Sequence, residues 1–195
     1  MRYSILVLIF TICVIGLTVK AQSRPETNWR DVEPKTVTLY SRIKYIDEYK
    51  GYGKSAFSFK NDVRSDVGQK ITGNNYELQY GSINLDHDSD WFKVSMGTDD
   101  CSRIKDLGEL NWSGIFDVPY LPASPEPRHG VRMPSKTETF EESSGGQVTK
   151  VVVGHIYVVH SKDSDSDFYT LFRVDKLVPS DEVTISWKVV PSPEK

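Results

Sequence analysis

Apolar and polar residues alternate with a period of two over most of the chain and almost nowhere repeat every three or four residues. In residues 36–46, Val37, Leu39, Ile43 and Tyr45 share one face, with Thr38, Arg42 and Lys44 opposite, the pattern of a half-buried strand. Residues 55–59 set Phe57 and Phe59 on one side. Tyr76, Leu78 and Tyr80 alternate with polar neighbours, Ile83 and Leu85 continue past Gly81, and Phe92, Val94 and Met96 alternate after an acidic turn. Residues 102–107 are the exception, since their pattern closes one helical turn, too short to hold as a helix without packing.

The C-terminal third is the most regular part. Residues 137–142 and 147–160 flank Ser143-Ser144-Gly145-Gly146, whose glycines take the positive φ that a tight hairpin needs. Residues 167–176 then set Phe168, Thr170, Phe172 and Val174 against Tyr169, Leu171 and Arg173. After a turn at Val178-Pro179-Ser180-Asp181, Val183, Ile185, Trp187 and Val189 oppose Thr184, Ser186 and Lys188. Four strands joined by short turns predict an antiparallel meander. The chain as a whole reads as all-β, a single antiparallel β-sandwich, with a β-barrel as the alternative.

The first 21 residues follow a different rule. Arg2 precedes an apolar run of about fifteen residues, and Val19-Lys20-Ala21 supplies the side chains that a signal peptidase reads. As a helix that run would span about 22 Å, short of the roughly 20 residues a bilayer core requires. Residues 1–21 are therefore expected to be a cleaved signal peptide, leaving no membrane span and placing the protein in a periplasm or outside the cell. About 170 residues then remain, enough for one domain, with residues 22–34 a polar, flexible arm and residues 35–195 the β-rich domain. The formal charge of −3 becomes more negative once Arg2 and Lys20 are lost, which argues against a nucleic-acid partner. With Cys13 in the leader, Cys101 stands alone, so no internal disulfide is available and the thiol is read as inert.

Two features break the strand pattern. Residues 117–136 hold half of the chain's ten prolines (Pro119, Pro122, Pro125, Pro127 and Pro134) and cannot be a central strand, because proline has no N–H for a ladder. This long loop carries Tyr120, Arg128, His129 and Arg132 and reads either as a crossover between sheets or as a surface for a protein or glycan partner. The second feature is an echo: Asp86-His87-Asp88-Ser89-Asp90 precedes Trp91-Phe92, and Asp163-Ser164-Asp165-Ser166-Asp167 precedes Phe168-Tyr169. Aspartate and serine favour turns by bonding their own backbone. Carboxylates two residues apart also suit a weak Ca2+ site, a cation that takes six to eight oxygens at about 2.3 to 2.6 Å. Neither segment is an EF-hand, for Phe168 stands where the loop glycine belongs and Val174 where the bidentate glutamate does.

Other chemistry is sparse. His155 and His160, five apart on one strand, point to opposite faces and cannot share a zinc ion. No nucleophile-elbow, phosphate-loop or dinucleotide glycine pattern occurs. Tyr40, Tyr45, Tyr49, Tyr52, Trp91, Trp112 and Tyr120 offer a carbohydrate-binding face or fill cores, and Asn111-Trp112-Ser113 fits a glycosylation acceptor if the source is eukaryotic.

Asp88-Ser89-Asp90-Trp91-Phe92-Lys93-Val94 resembles the Asp-Xaa-Asp-Trp-Phe phrase of bacterial pre-peptidase C-terminal domains, which are small exported β-sandwiches. The tail over residues 155–193, with Phe172-Arg173-Val174 and Ile185-Ser186-Trp187-Lys188, resembles endings of uncharacterised exported bacterial proteins. Both resemblances imply a bacterial, exported sandwich and neither implies an activity. The expectation is a non-catalytic binding protein without an obligatory cofactor. The alternatives are an exported hydrolase using loop carboxylates such as Asp88 or Asp165, and a carbohydrate-binding module.

Overall fold

The computed structural model describes residues 28–45, 47–48, 51–64, 76–81, 90–94, 102–114, 116–122, 146–162 and 166–194. Two antiparallel sheets of five strands each face one another without closing into a barrel, so the chain folds as a β-sandwich. The first sheet has the order β1 (Lys35–Tyr40), β10 (Glu182–Val190), β9 (Asp167–Val178), β8 (His155–Lys162) and β6 (Arg103–Glu109). In the second the order is β3 (Val63–Arg64), β2 (Ala56–Ser58), β4 (Leu78–Tyr80), β5 (Trp91–Val94) and β7 (Val148–Lys150). A short helix, α1 (Gly51–Ser55), leads into β2.

Alternation in β9 decides which residues meet. Phe168, Phe172 and Val174 enter the core between the sheets, where they join Phe57, Phe59, Phe92, Tyr157, Ile185 and Trp187. Phe172 stacks on Tyr157 with ring centroids 5.0 Å apart and meets the edge of Phe92 at the same distance. The intervening Tyr169 and Leu171 point the other way, to a second apolar cluster with Ile156, Val158 and Val190. Near-continuous apolar runs such as Ile156-Tyr157-Val158-Val159 are the mark of a strand covered on both faces. Trp29, Leu107, Leu110, Trp112, Phe116, Val118 and Leu121 provide that second cover.

Four expectations change. Residues 28–34 are not a loose arm: they carry a 3-10 turn (Trp29–Asp31), Arg30 NH2 donates to the Phe116 carbonyl at 3.1 Å, and Trp29 packs on the second cluster. Residues 102–107 form no helical turn. Residues 103–107 fall within β6, where Ile104 lies opposite Val159, because a ladder along β8 satisfies more backbone groups than one isolated turn. The segment 147–160 is not one strand, since Gly154 at φ 85° turns the chain between β7, paired with β5, and β8, paired with β6 and β9. β7 therefore has no hairpin with β8, and residues 137–142 lie outside the described residues. Finally, β1 stops at Tyr40 and residues 42–45 turn, leaving Ile43 exposed. The meander survives as β8, β9 and β10.

Candidate functional site

The described ends of two segments that stood out in the sequence, residues 117–122 of the proline-rich stretch and residues 166–167 of the second acidic run, come together at one end of the first sheet. Lys162 lies opposite Asp167 in the last described pair of the β8–β9 ladder. Opposite each other two pairs inward are His160 and Tyr169, whose rings stack with centroids 4.3 Å apart at 11°. Onto these two rings the start of the proline-rich segment docks. The Tyr169 hydroxyl accepts from the Leu121 N–H at 3.1 Å and donates to the Leu121 carbonyl at 3.1 Å. His160 Nδ1 lies 2.6 Å from the same carbonyl. Leu121 itself packs on the second apolar cluster, so one residue is held by its backbone and its side chain together.

Asp167 completes the clamp. Its Oδ1 lies 3.0 Å from His160 Nε2 and its Oδ2 lies 2.7 Å from Lys162 Nζ. The Lys162 ammonium, followed by the His160 hydrogen bond, holds the Asp167 carboxyl below the usual carboxylate range. This carboxylate's contribution to stability is present at neutral pH and is lost as pH falls through that lowered value. Burial, the largest cause, raises the Tyr169 hydroxyl above its ordinary range, so it stays a donor at neutral pH. Tyr120, next to the clamped residue, is exposed. Arg128, His129 and Arg132 lie outside the described residues.

The acidic echo does not converge. Asp90 Oδ1 accepts from the Tyr80 hydroxyl at 2.6 Å and from the Ser180 N–H at 2.8 Å, which ties the first acidic segment to the β9–β10 turn. Asp167 sits at the other end of β9, about 36 Å away at the rise of an extended strand. The Asp90 Oδ1 and both Asp167 oxygens thus already serve protein donors, while Asp86, Asp88, Asp163 and Asp165 lie outside the described residues. Any Ca2+ bound by the two segments would occupy two independent sites. Thermal unfolding in chelator and in about 10 mM Ca2+ checks this: a bound site should raise the melting temperature by roughly 5 to 10 °C at saturation. The double change Asp163→Asn with Asp165→Asn should remove only the share contributed by its own hairpin.

A histidine–carboxylate pair was not foreseen from the sequence. His155 Nδ1 lies 2.9 Å and 3.1 Å from the two oxygens of Asp106, and Asp106 also accepts from the Gly108 N–H at 2.7 Å. The pair is assembled by a register shift between Asp106 and Glu109 in the β6–β8 ladder, with Gly108 at φ 79°. Residues 49 apart meet only through that long-range pairing, so no local pattern announces them. Both side chains are partly exposed, and a carboxylate can only accept, so the Nδ1 contact orients the ring with an N–H toward Asp106. His155 faces the side of β8 that carries Tyr157, and His160 the opposite side.

The aromatic residues do not form one face. Tyr40 packs edge-on against Tyr45 near Asp181, whereas Trp112 lies over the outer face of the first sheet. Tyr49 and the Tyr52 side chain lie outside the described residues. Asn111 is exposed, with its Oδ1 accepting from the Ser113 N–H at 3.1 Å. Among the described residues no three His, Cys, Asp or Glu side chains gather, and no helix is long and apolar enough to cross a membrane. No protein-family model, curated protein or solved structure matches the chain.

Proposed function

We propose that this is an exported, non-catalytic β-sandwich that acts by binding a protein or glycan partner. Its contact surface is the proline-rich segment with Tyr120, Arg128, His129 and Arg132, a segment whose described start carries Leu121 docked on the β8–β9 hairpin. One observation carries the reading: Leu121 is clamped by three hydrogen bonds to His160 and Tyr169, which fixes the root of a long loop on a rigid hairpin and leaves Tyr120 exposed. Binding residues on loops held by a stiff scaffold are the common arrangement in such folds. Proline stiffens the loop and lowers the ordering cost on association.

Photo-crosslinking tests it. A benzophenone side chain at position 120 should give a saturable adduct with a component of the exported fraction, competed by excess wild-type protein and not by the Arg128→Ala, Arg132→Ala variant. The same group at exposed Val153, at the opposite end of the sandwich, should give none. Equal adducts at both positions, or none at position 120, would overturn the assignment.

A second reading, an exported hydrolase, is favoured by the Asp106–His155 pair, which orients an imidazole as a general base would need. In that reading His155 takes the role first considered for Asp88 or Asp165. His155→Ala would abolish such an activity and leave partner capture intact.

A further inference from the structure

Neutral imidazole has one N–H and one lone pair, whereas imidazolium has two N–H groups. Both ring nitrogens of His160 face acceptors: the Leu121 carbonyl at 2.6 Å from Nδ1 and the Asp167 carboxylate at 3.0 Å from Nε2. The side chain is only 7% exposed and its ring is stacked on Tyr169, so it cannot turn aside to find water. We propose that His160 is a proton-operated anchor for residues 117–122, the described start of the proline-rich segment, holding Leu121 and Asp167 together as imidazolium and letting Leu121 loosen when the ring is neutral. This rests on the reading of that segment as the binding surface and supplies its regulation.

The groups around the ring give the sign. Asp167 and Tyr169 face it from β9, Lys162 is its neighbour on β8, Arg103 stands opposite it in the β6 register, and Tyr120 lies on the docked segment. Asp167 is the one carboxylate that contacts the ring among the described residues, and its pairing with Lys162 keeps it ionised well into the acid range. Once the ring has lost a proton, one of its two contacts sets a lone pair against an acceptor. Leu121 then keeps the Tyr169 hydroxyl and Asp167 keeps Lys162, but the ring no longer joins the two. Leu121 is therefore held while the ring carries both protons and loosened once the ring carries one. An exported protein takes the pH of its surroundings, so this change is one it would meet.

The test needs no ligand. In the isotopically labelled protein, the His160 ring nitrogen shifts and the exchange protection of the Leu121 amide are followed from about pH 5 to pH 8, the range in which histidine titrates. Both nitrogens should be protonated at the acid end. Leu121 protection, corrected for intrinsic exchange, should fall roughly tenfold or more across the transition, the worth of one charge-assisted hydrogen bond. His160→Asn, which keeps a donor toward Leu121 and does not titrate, should give a flat profile. A ring that stays a single neutral tautomer at pH 5, or a protection change that persists in His160→Asn, would overturn the anchor. Those outcomes with position 120 crosslinking intact would remove the regulation alone, whereas failed crosslinking with a pH-dependent anchor would remove the binding surface alone.

Discussion

Phe172→Ala should destabilise the protein by about 3 to 5 kcal/mol and lower its melting temperature by roughly 10 to 15 °C. Phe172 is fully buried in the middle strand of the first sheet, stacked on Tyr157 and Phe59 and met edge-on by Phe92. Truncation removes the transfer free energy of the ring and leaves a void lined by three other aromatic rings, which are too rigid to collapse into it. It also removes the geometric preference of each ring pair, about 0.5 to 1.5 kcal/mol beyond burial. Phe172→Leu, which refills much of the volume, should recover more than half of the loss. Chemical denaturation of both variants, with the slope held equal to wild type, gives the comparison.

The second large effect is expected at Lys188. This lysine lies on the outer face of the first sheet and is almost fully buried, between the rings of Trp29 at 5.3 Å and Trp112 at 5.0 Å. Arg30 lies over the far side of the layer on Trp29 and Arg173 on Trp112, so cations and indoles alternate across strands that are distant in sequence. The ammonium donates to the carbonyls of Arg30 at 3.3 Å and Val32 at 3.4 Å, on the turn that residues 28–34 lay over the sheet. Burial, the largest cause, pulls its pKa below the usual lysine value. Folding therefore favours the neutral amine, and stability should rise with pH between that lowered value and the ordinary one. Lys188→Met keeps the stem and removes the desolvated charge, so it should stay within about 1 kcal/mol of wild type. Lys188→Glu sets a carboxylate against two carbonyls and two π faces and should cost about 3 to 5 kcal/mol. Equal losses in both variants would show that the ammonium itself fastens the layer.

Strand faces were legible wherever one period held for several residues. Phe168, Phe172 and Val174 against Tyr169 and Leu171 came out as the alternation demands, and Val183, Ile185 and Trp187 entered the same core. The pattern failed where a tertiary partner overruled it. Residues 102–107 have no strand alternation of their own, and residues 103–107 join β6 only because β8 offers a ladder. A single glycine, Gly154, with its positive φ, turned the chain inside the segment 147–160 that reads as one strand. Docking of residues 28–34 was illegible because Trp29 is one apolar residue in a polar stretch, and its cation partners Arg30 and Lys188 read as solvent-facing charges. Of the candidate site, the loop and the acidic hairpin were visible as compositions. Their meeting was not, since His160, Tyr169 and Leu121 carry no special spacing and join only when the meander presents two ring faces to the loop.

In the free protein the decisive feature is the seating of the root of the proline-rich segment, at Leu121, on the β8–β9 hairpin. Its most direct measurement is the set of nuclear Overhauser contacts from the Leu121 amide and side chain at mildly acidic pH. Contacts to the Tyr169 and His160 rings, together with slow exchange of the Leu121 amide, are the predicted result. Random-coil shifts for residues 116–122 without any contact to either ring would contradict it.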